Sequence, residues 1–331
     1  MNKESIRNWF IKVTTRDINV PKRTFIYLFL SLFSIVLIVE VIIFKHILFR
    51  TSAFPTEIEI FLGLFVVGIS YFIAGYVVDL IKNRTRFFNI SLLICLLGLF
   101  LSLFSTNFIL VYLSLVIVLV SLTFLISVWF TILIHETNIL NRGRITAYLL
   151  MFTFIIGIIG LIFVLIPSFY IYFVMTEGTL LTVISIISRK YKYIETNERL
   201  KSSETYKEII FEKHFFRYSS SFTGLSFLLG NLLALYGFHI EIITFIIATF
   251  LYVITAGIFL DCIGRKTSIV VGILVLSFFL ISHSSFAESP IIFGIFPRVI
   301  FMSFHYAFSL YPLLLAVFTI SGDFSTEREN L

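Results

Sequence analysis

Four polar side chains lie inside long apolar runs of the sequence, where they could bind a proton or a polar solute: Glu40, Ser121, Asn231 and His305. A charge at the centre of a membrane-spanning helix costs about 2.5–3.5 kcal/mol, so such residues are functional candidates. A buried carboxylate must be paired, protonated or hydrated, and a neutral imidazole offers one donor and one acceptor. In the competing structural interpretation, Ser121 bonds its own helix backbone and His305 is a neutral packed side chain. Asn231 and Glu40 then join neighbouring helices.

The composition predicts that lipid surrounds most of the chain. Hydrophobic residues make up 59% of the sequence and charged residues 13%, against about 45–50% and about 25% in soluble proteins. Only helical bundles and closed barrels satisfy their backbone in lipid, and the sequence lacks the period of two that barrels need. We therefore predict an all-α integral membrane protein. Cys95 and Cys262 have no metal-ligand or CxxC spacing and predict no disulfide framework.

Ten apolar runs are long enough to cross a bilayer, whose hydrocarbon layer is roughly 30 Å thick, at about 1.5 Å per residue. The predicted transmembrane helices are 25–48, 58–78, 87–104, 108–134, 145–166, 168–188, 218–238, 242–260, 267–286 and 291–320. The first run is too long for the core of a signal peptide. We therefore expect it to be the first membrane helix of the mature protein.

The distribution of basic residues predicts the orientation. With ten helices, 22 of the 25 Lys and Arg residues fall on one side of the membrane, and only Lys45, Arg50 and Arg298 fall on the other. Cytoplasmic loops of membrane proteins carry the excess of Lys and Arg. We therefore predict a multi-pass plasma-membrane protein with both termini in the cytoplasm.

The longest polar connection divides the predicted helices into six and four. We interpret residues 188–217 as a solvated linker with an amphipathic piece on the membrane surface. The predicted parts are a cytoplasmic N-terminal segment at 1–24, a first half at 25–188, a central linker at 189–217 and a second half at 218–331.

Two copies of a Gly-x-x-x-Asp pattern with a basic turn end the second and eighth helices. The first copy contains Gly75, Asp79 and Arg84, and the second contains Gly257, Asp261, Gly264, Arg265 and Lys266. The two Asp residues are 182 positions apart. A second pair of markers contains Glu136 with Arg142, and Asp323 with Arg328, at an offset of 187. Two markers at nearly one offset predict an internal duplication, although a single copy would be compatible with an ordinary basic loop.

The residue types of this motif suit a contact between helix ends. A Gly allows a neighbouring helix to approach closely. An Asp at the boundary between membrane and water can accept hydrogen bonds from the exposed N–H groups of another helix start, and the cations that follow can pair with acids or lipid phosphates. Breaking such a contact would free one half of the protein to move against the other.

These motifs resemble those of the major facilitator superfamily, whose loops carry Gly-x-x-x-Asp-Arg-x-Gly-Arg-Lys/Arg. The second copy matches except for Cys262 in place of the first Arg, whereas the first copy departs at Leu80, Lys82 and Asn83. The Arg-Gly-Arg pattern that follows Glu136 is similar to that of the sugar-porter and related branches, one residue short. The resemblance implies two repeated halves, here of six and four helices.

The resemblance also implies that helices 1, 4, 7 and 10 line a central cavity. The four polar candidates lie on these helices, 13 to 15 residues from the predicted cytoplasmic ends, which is about 20–22 Å. They would form one polar layer suited to a substrate site. Glu177 is also predicted at mid-membrane, but on the sixth helix, which the family places peripherally. We expect the protonated side chain of Glu177 to form a hydrogen bond with a neighbouring helix.

The length differs from that of the family, which normally has twelve helices. By the repeat, the predicted helices 7–10 correspond to 1–4, and the last two helices are lacking. In the family, the Asp of the first copy contacts the start of the eleventh helix, so the sequence supplies no evident partner for Asp79.

The sequence therefore predicts a secondary transporter of a small solute, such as a sugar, organic acid or phosphate-like compound, with protons as a candidate coupling ion. The alternatives are a non-transporting remnant of a transporter or a membrane-embedded enzyme. We predict no enzyme because the six His residues are scattered without HxxH or HxxxH spacing. Nucleotide-driven transport is not indicated either, since there is no Walker A or GxGxxG motif. The predicted partners are the solute, protons and the bilayer, with no cofactor, metal or nucleic acid. The oligomeric state is left open.

Overall fold

The computed structural model describes residues 20–42, 56–81, 83–104, 107–137, 142–164, 169–190, 253–258 and 260–286, and these contain helices and no strand. The helices are α1 (Lys22–Ile42), α2 (Thr56–Leu80), α3 (Arg84–Phe104), α4 (Phe108–Glu136), α5 (Arg142–Val164), α6 (Phe169–Lys190) and α7 (Arg265–Phe286). Residues 253–258 and 260–263 are also helical, and we call them the Asp261 segment. The all-helical prediction is therefore confirmed for the described part of the chain.

Several helices begin before the apolar runs that predicted them. Helices α3 and α5 each begin three residues earlier than the predicted spans 87–104 and 145–166. The added turns contain Arg84 and Arg86 in one helix and Arg142 and Arg144 in the other. An apolar run marks the part of a helix that suits lipid, whereas the helix itself continues into its polar first turn.

Local capping residues explain where helices α3 and α4 begin. The Asn83 side-chain oxygen accepts a hydrogen bond from the backbone N–H of Arg86 at 3.2 Å. Asn107 does the same for the N–H of Ile109 at 3.0 Å. Asn is a favoured N-cap because its side chain satisfies an N–H group that has no partner within the helix. Asn83 therefore departs from the family pattern but has a clear structural use.

Three helices of the described chain are long and apolar enough to cross a membrane: Lys22–Val39 of α1, Arg84–Ser102 of α3 and Ile109–Glu136 of α4. Helix α2 also exposes large apolar side chains, of which Phe72 is 81% exposed. Such surfaces suit lipid, and they indicate a membrane protein. The total of ten helices, the plasma membrane and the orientation stay predictions. The predicted helices 218–238 and 291–320 lie outside the described residues.

The chain divides into two compact units. The unit that we call the α1–α4 unit contains residues 20–136 and 155–195, and the unit that we call the Asp261 unit includes 137–154 and 196–331. Helix α5 therefore contributes its N-terminal turns, up to Phe154, to the Asp261 unit. The predicted division at the linker 189–217 stays a prediction.

Close packing and buried polar contacts hold the α1–α4 unit together. A Cβ atom on Gly98 of α3 would lie 2.9 Å from the Val118 side chain of α4, so these helices approach at a glycine. The Trp129 indole N–H of α4 donates to the Leu28 carbonyl oxygen of α1 at 2.9 Å. The Asn89 amide of α3 donates to Ser188 Oγ of α6, also at 2.9 Å. These contacts hold α1, α3, α4 and α6 in register.

Candidate functional site

The Asp261 carboxylate caps the start of helix α5. Its Oδ1 accepts a hydrogen bond from the Gly143 N–H at 3.1 Å, and its Oδ2 accepts one from the Arg144 N–H at 3.0 Å. The Arg144 Nε–H also donates to Oδ2 at 3.0 Å, which makes a salt bridge. We call this arrangement the Asp261 cap. It joins residues that are 117 and 118 positions apart in the sequence.

The physics of a helix start explains why a carboxylate fits there. Helix α5 begins at Arg142, so the N–H groups of Gly143 and Arg144 lie in its first turn and have no acceptor within the helix. The positive end of the helix dipole and the Arg144 guanidinium both attract a negative charge. The side chains of Arg144 and Asp261 are only 10% and 2% exposed, so water weakens this attraction little.

Two glycines let the backbones of α5 and the Asp261 segment approach closely enough for the cap to form. A Cβ on Gly143 would lie 2.6 Å from Asp261 Oδ1 and 3.2 Å from the Gly257 carbonyl oxygen. A Cβ on Gly257 would lie 2.5 Å from the Ala147 Cβ and 2.9 Å from the Gly143 carbonyl oxygen. Real Cβ atoms essentially never approach as closely as 2.5–2.9 Å, so the position of Gly257 requires glycine, whereas a Cβ on Gly143 would displace the Asp261 carboxylate. Beside this contact, Ala147 packs with Val253, Ala256 and Leu260 in a small buried cluster.

Gly264 separates the Asp261 segment from helix α7. Its φ angle of 93° lies in the left-handed region, which glycine adopts without the penalty that a Cβ brings. Its N–H donates to the Leu260 carbonyl oxygen at 3.2 Å, which ends the segment in the manner of a left-handed C-cap. Its carbonyl oxygen accepts from the Ser268 N–H at 3.1 Å and so begins α7. This glycine therefore fixes the turn that immediately follows Asp261.

The Arg142 side chain links the start of helix α5 to Thr137, which follows the end of α4. Its side chain is fully buried, and its Nε–H donates to Thr137 Oγ1 at 3.0 Å while Nη2 donates to the Thr137 carbonyl oxygen at 3.1 Å. The Thr146 hydroxyl of the next turn donates to the Arg142 carbonyl oxygen at 2.8 Å. Glu136, the acidic residue of the predicted pair, is the last residue of α4 and is half-buried.

The first copy of the motif has a different environment. A Cβ on Gly75 would meet no heavy atom within 4 Å among the residues that the structure describes, and Gly75 is exposed. Arg84 is buried at the start of α3. Asp79 lies in α2, but its side chain is outside the described residues. Among the described residues, the two motif glycines Gly75 and Gly257 therefore have dissimilar packing.

The structure describes the side chain of only one member of the predicted polar layer. Ser121 lies in α4 and is 6% exposed. The backbone of Glu40 belongs to α1 but its side chain is outside the described residues, as are the side chains of Arg265 and Lys266 at the start of α7. Asn231, His305, Asp323 and Arg328 lie entirely outside the described residues. The proposed polar layer and the second acidic–Arg pair therefore stay predictions.

Sequence reasoning did not assign the partners of two acidic side chains. It singled out both Asp261 and the Arg-Gly-Arg run, but it did not predict that Asp261 contacts Gly143 and Arg144 of that run. It also did not identify Ser34, whose hydroxyl donates to Glu177 Oε2 at 2.5 Å and joins α1 to α6. A serine in an apolar run gives no signal of a partner 143 residues away.

The two motif glycines predict opposite effects of the same substitution. Gly257→Ala should destabilise the protein by about 1–3 kcal/mol because the added methyl group collides with Ala147 and with backbone. Gly75→Ala should be neutral or stabilise by up to about 1 kcal/mol, since alanine favours a helix and the site is open. Thermal unfolding of both variants in detergent measures the difference.

A third variant controls for general effects of the methyl group. Adding Ala147→Gly to Gly257→Ala removes the nearest colliding atom and should recover part of the lost stability. Equal shifts of the unfolding temperature for Gly75→Ala and Gly257→Ala would contradict the close contact.

Comparison with protein-family models and with curated proteins gives no relative of this chain. No family model matches the sequence, and no curated protein matches it. Among the described residues, no group of three or more His, Cys, Asp or Glu side chains is placed to hold a metal ion. The apolar helices therefore indicate a membrane protein, and the Asp261 cap is the site whose geometry can be argued.

Proposed function

We propose that this chain is a secondary active transporter of a small solute, such as a sugar, an organic acid or a phosphate-like compound, that works by alternating access. The observation that carries the proposal is the Asp261 cap. It ties the end of the Asp261 segment, a short apolar helix, to the start of α5, which lies more than 100 positions away in the sequence. A transporter needs such a contact to be firm in one state and absent in another.

The chemistry of the cap suits a reversible contact. It consists of a carboxylate with two backbone N–H groups and one guanidinium N–H. Each of these groups can instead be hydrated once the contact opens at the membrane surface, so opening leaves no buried group without a partner. Each hydrogen bond to a charged group contributes about 1.5–3 kcal/mol, which is of the same order as the few kcal/mol that separate exchanging conformations.

The predicted internal repeat supports the same mechanism. With the offset of 182, the second copy of the motif corresponds to the first copy, and the two halves become related versions of one unit. By that relation, the contact of Asp261 with the fifth predicted helix corresponds to the contact that the family makes between the first copy and the eleventh helix. We propose that the cap stabilises the state that is closed on the cytoplasmic side.

Uptake into proteoliposomes tests the proposed function. Purified protein should accumulate at least one member of a panel of labelled hexoses, short mono- and dicarboxylates and inorganic phosphate, above the level of protein-free vesicles. An imposed pH gradient should change the amount accumulated if protons are the coupling ion. Equal uptake by vesicles with and without protein for every member of the panel would contradict transport of these solute classes.

A further inference from the structure

The carboxyl group of Glu177 is buried in the α1–α4 unit and takes no part in the Asp261 cap. Glu177 on α6 is 0% exposed. Its Oε2 accepts the hydrogen bond from the Ser34 hydroxyl of α1 at 2.5 Å. Its Oε1 is also buried and has no hydrogen-bond partner among the described residues. One carboxyl oxygen is therefore satisfied and the other lies in an apolar environment.

The ionisable groups of α1 lie too far along the helix to neutralise a carboxylate at this position. Lys22, Arg23 and Tyr27 precede Ser34 by 12, 11 and 7 residues, which is roughly 18, 16 and 10 Å along the axis. Glu40 follows Ser34 by six residues, about 9 Å, and would add a like charge. Helix α1 therefore supplies a hydroxyl to Glu177 and no nearby cation.

Helix α3 also packs against α6, and its basic residues lie far from Glu177 as well. On α3, the side chain of Cys95 interacts electrostatically with Glu177 and is itself fully buried. Arg84 and Arg86 precede Cys95 by 11 and 9 residues, roughly 16 and 14 Å. Residues 155–164 of α5, which belong to the same unit, contain no ionisable residue. Among the residues that the structure describes, a carboxylate at Glu177 would thus be a buried charge with one hydrogen bond, an arrangement that proteins avoid.

We propose that Glu177 is a proton-binding site: in this conformation it is a neutral carboxylic acid hydrogen-bonded to Ser34, and it releases its proton only when α1 and α6 separate and admit water. On release, the O–H bond of the acid breaks, water takes the proton, and the electron pair stays on the carboxylate. The bond to Ser34 then no longer holds α1 against α6, because the charged group is more stable in contact with water.

Proton binding at Glu177 has a consequence for transport that rests on the proposed function. Helix α1 carries both Ser34 and Glu40. A proton on Glu177 would hold this helix in place, and its release would free the helix to move. Glu177 would then control when Glu40 changes the side of the membrane to which it is exposed, while Glu40 remains the residue proposed for coupling.

Infrared spectroscopy of the full-length protein in lipid tests the site without any solute. At neutral pH, the wild type should show a carbonyl-stretching band of a protonated carboxylic acid, and this band should shift in D2O. Glu177→Gln should lose this band, whereas Glu40→Gln should retain it. Identical carboxylic-acid bands in the wild type and Glu177→Gln would overturn the proposal.

A second variant keeps the carboxyl group and changes only its partner. Ser34→Ala should shift the same band to higher frequency because the carbonyl loses a hydrogen bond. An unchanged band in a folded Ser34→Ala protein would overturn the assignment to the pair of Ser34 and Glu177. The role in transport is judged separately: if the pH-gradient dependence of uptake in Glu177→Gln equals that of the wild type, the link to transport is overturned and the proton site stands.

Discussion

In an Asp261→Asn variant, the backbone amides of Gly143 and Arg144 should exchange their hydrogens with water roughly 10 to 150 times faster than in the wild type. In the wild type these two N–H groups are held by the Asp261 carboxylate and lie in the first turn of α5, where no helical acceptor exists. Asparagine has one acceptor oxygen instead of two, its NH2 group would face a donor, and the charge pair with Arg144 is lost. A loss of about 1.5–3 kcal/mol corresponds to that range of rates.

Hydrogen exchange followed by mass spectrometry measures this change directly. Amides deeper in α5, from Thr146 onward, should keep their protection, because helical acceptors hold them. Asp79→Asn is the matched control, since it makes the same chemical change in the first copy of the motif, and it should leave the amides of Gly143 and Arg144 unchanged. Wild-type exchange at these two amides in Asp261→Asn would contradict the cap. We also expect this variant to impair conformational switching more than folding.

A Glu40→Gln variant should lose accumulation driven by a pH gradient while it retains some exchange of solute across the membrane. The amide imitates the protonated acid and cannot cycle between protonated and ionised forms. A transporter with this substitution could still alternate with solute bound, but it could not couple that movement to protons. Uptake into proteoliposomes with and without an imposed pH gradient separates the two activities.

The matched control for this prediction is Glu40→Asp, which keeps a titratable carboxyl group at the same position. It should preserve the dependence on the pH gradient, although the shorter side chain reduces the rate. If Glu40→Gln responds to the gradient as the wild type does, Glu40 has no coupling role. A loss of stability without uncoupling would indicate that Glu40 only joins α1 to another helix.

Sequence pattern predicted the helices of the described chain well because lipid imposes a simple rule on composition. The runs of apolar residues predicted the first and last residues of helices α1 to α7 to within a few positions wherever both ends are described. The remaining errors have a local cause. The polar first turns at Arg84 and Arg142 are helical but carry no apolar signal, so the predicted spans began too late.

The partners within the site could not be predicted in the same way. The residue types of the second motif indicated that Asp261 could cap a helix start, but nothing local identifies which of several basic helix starts it meets. Its contacts with Gly143 and Arg144 depend on the approach of two backbones at Gly143 and Gly257, which is a property of the folded chain. Among the described residues, the open environment of Gly75 and the close contacts of Gly257 show how far packing can differ between the glycines of one pattern.

The burial of Glu177 and its partner could not be predicted from the sequence for a related reason. The resemblance places its helix at the periphery, and such a position says little about the burial of one side chain. The structure describes Glu177 as fully buried against Ser34. The expected interhelix hydrogen bond is present, but its partner could not be read from an apolar run that also contains Ser31.

The central claim, alternating access, is tested most directly by labelling one buried residue from both sides of the membrane. Ser121 is suitable because it is 6% exposed in α4 and belongs to the predicted central layer. In a chain with Cys95→Ala, Cys262→Ser and Ser121→Cys, an impermeant thiol reagent would be added to either side of sealed vesicles. We predict reaction from both sides, with Asp261→Asn raising the rate from the predicted cytoplasmic side and lowering it from the other. Reaction from one side only, at a rate that Asp261→Asn does not change, would contradict the account.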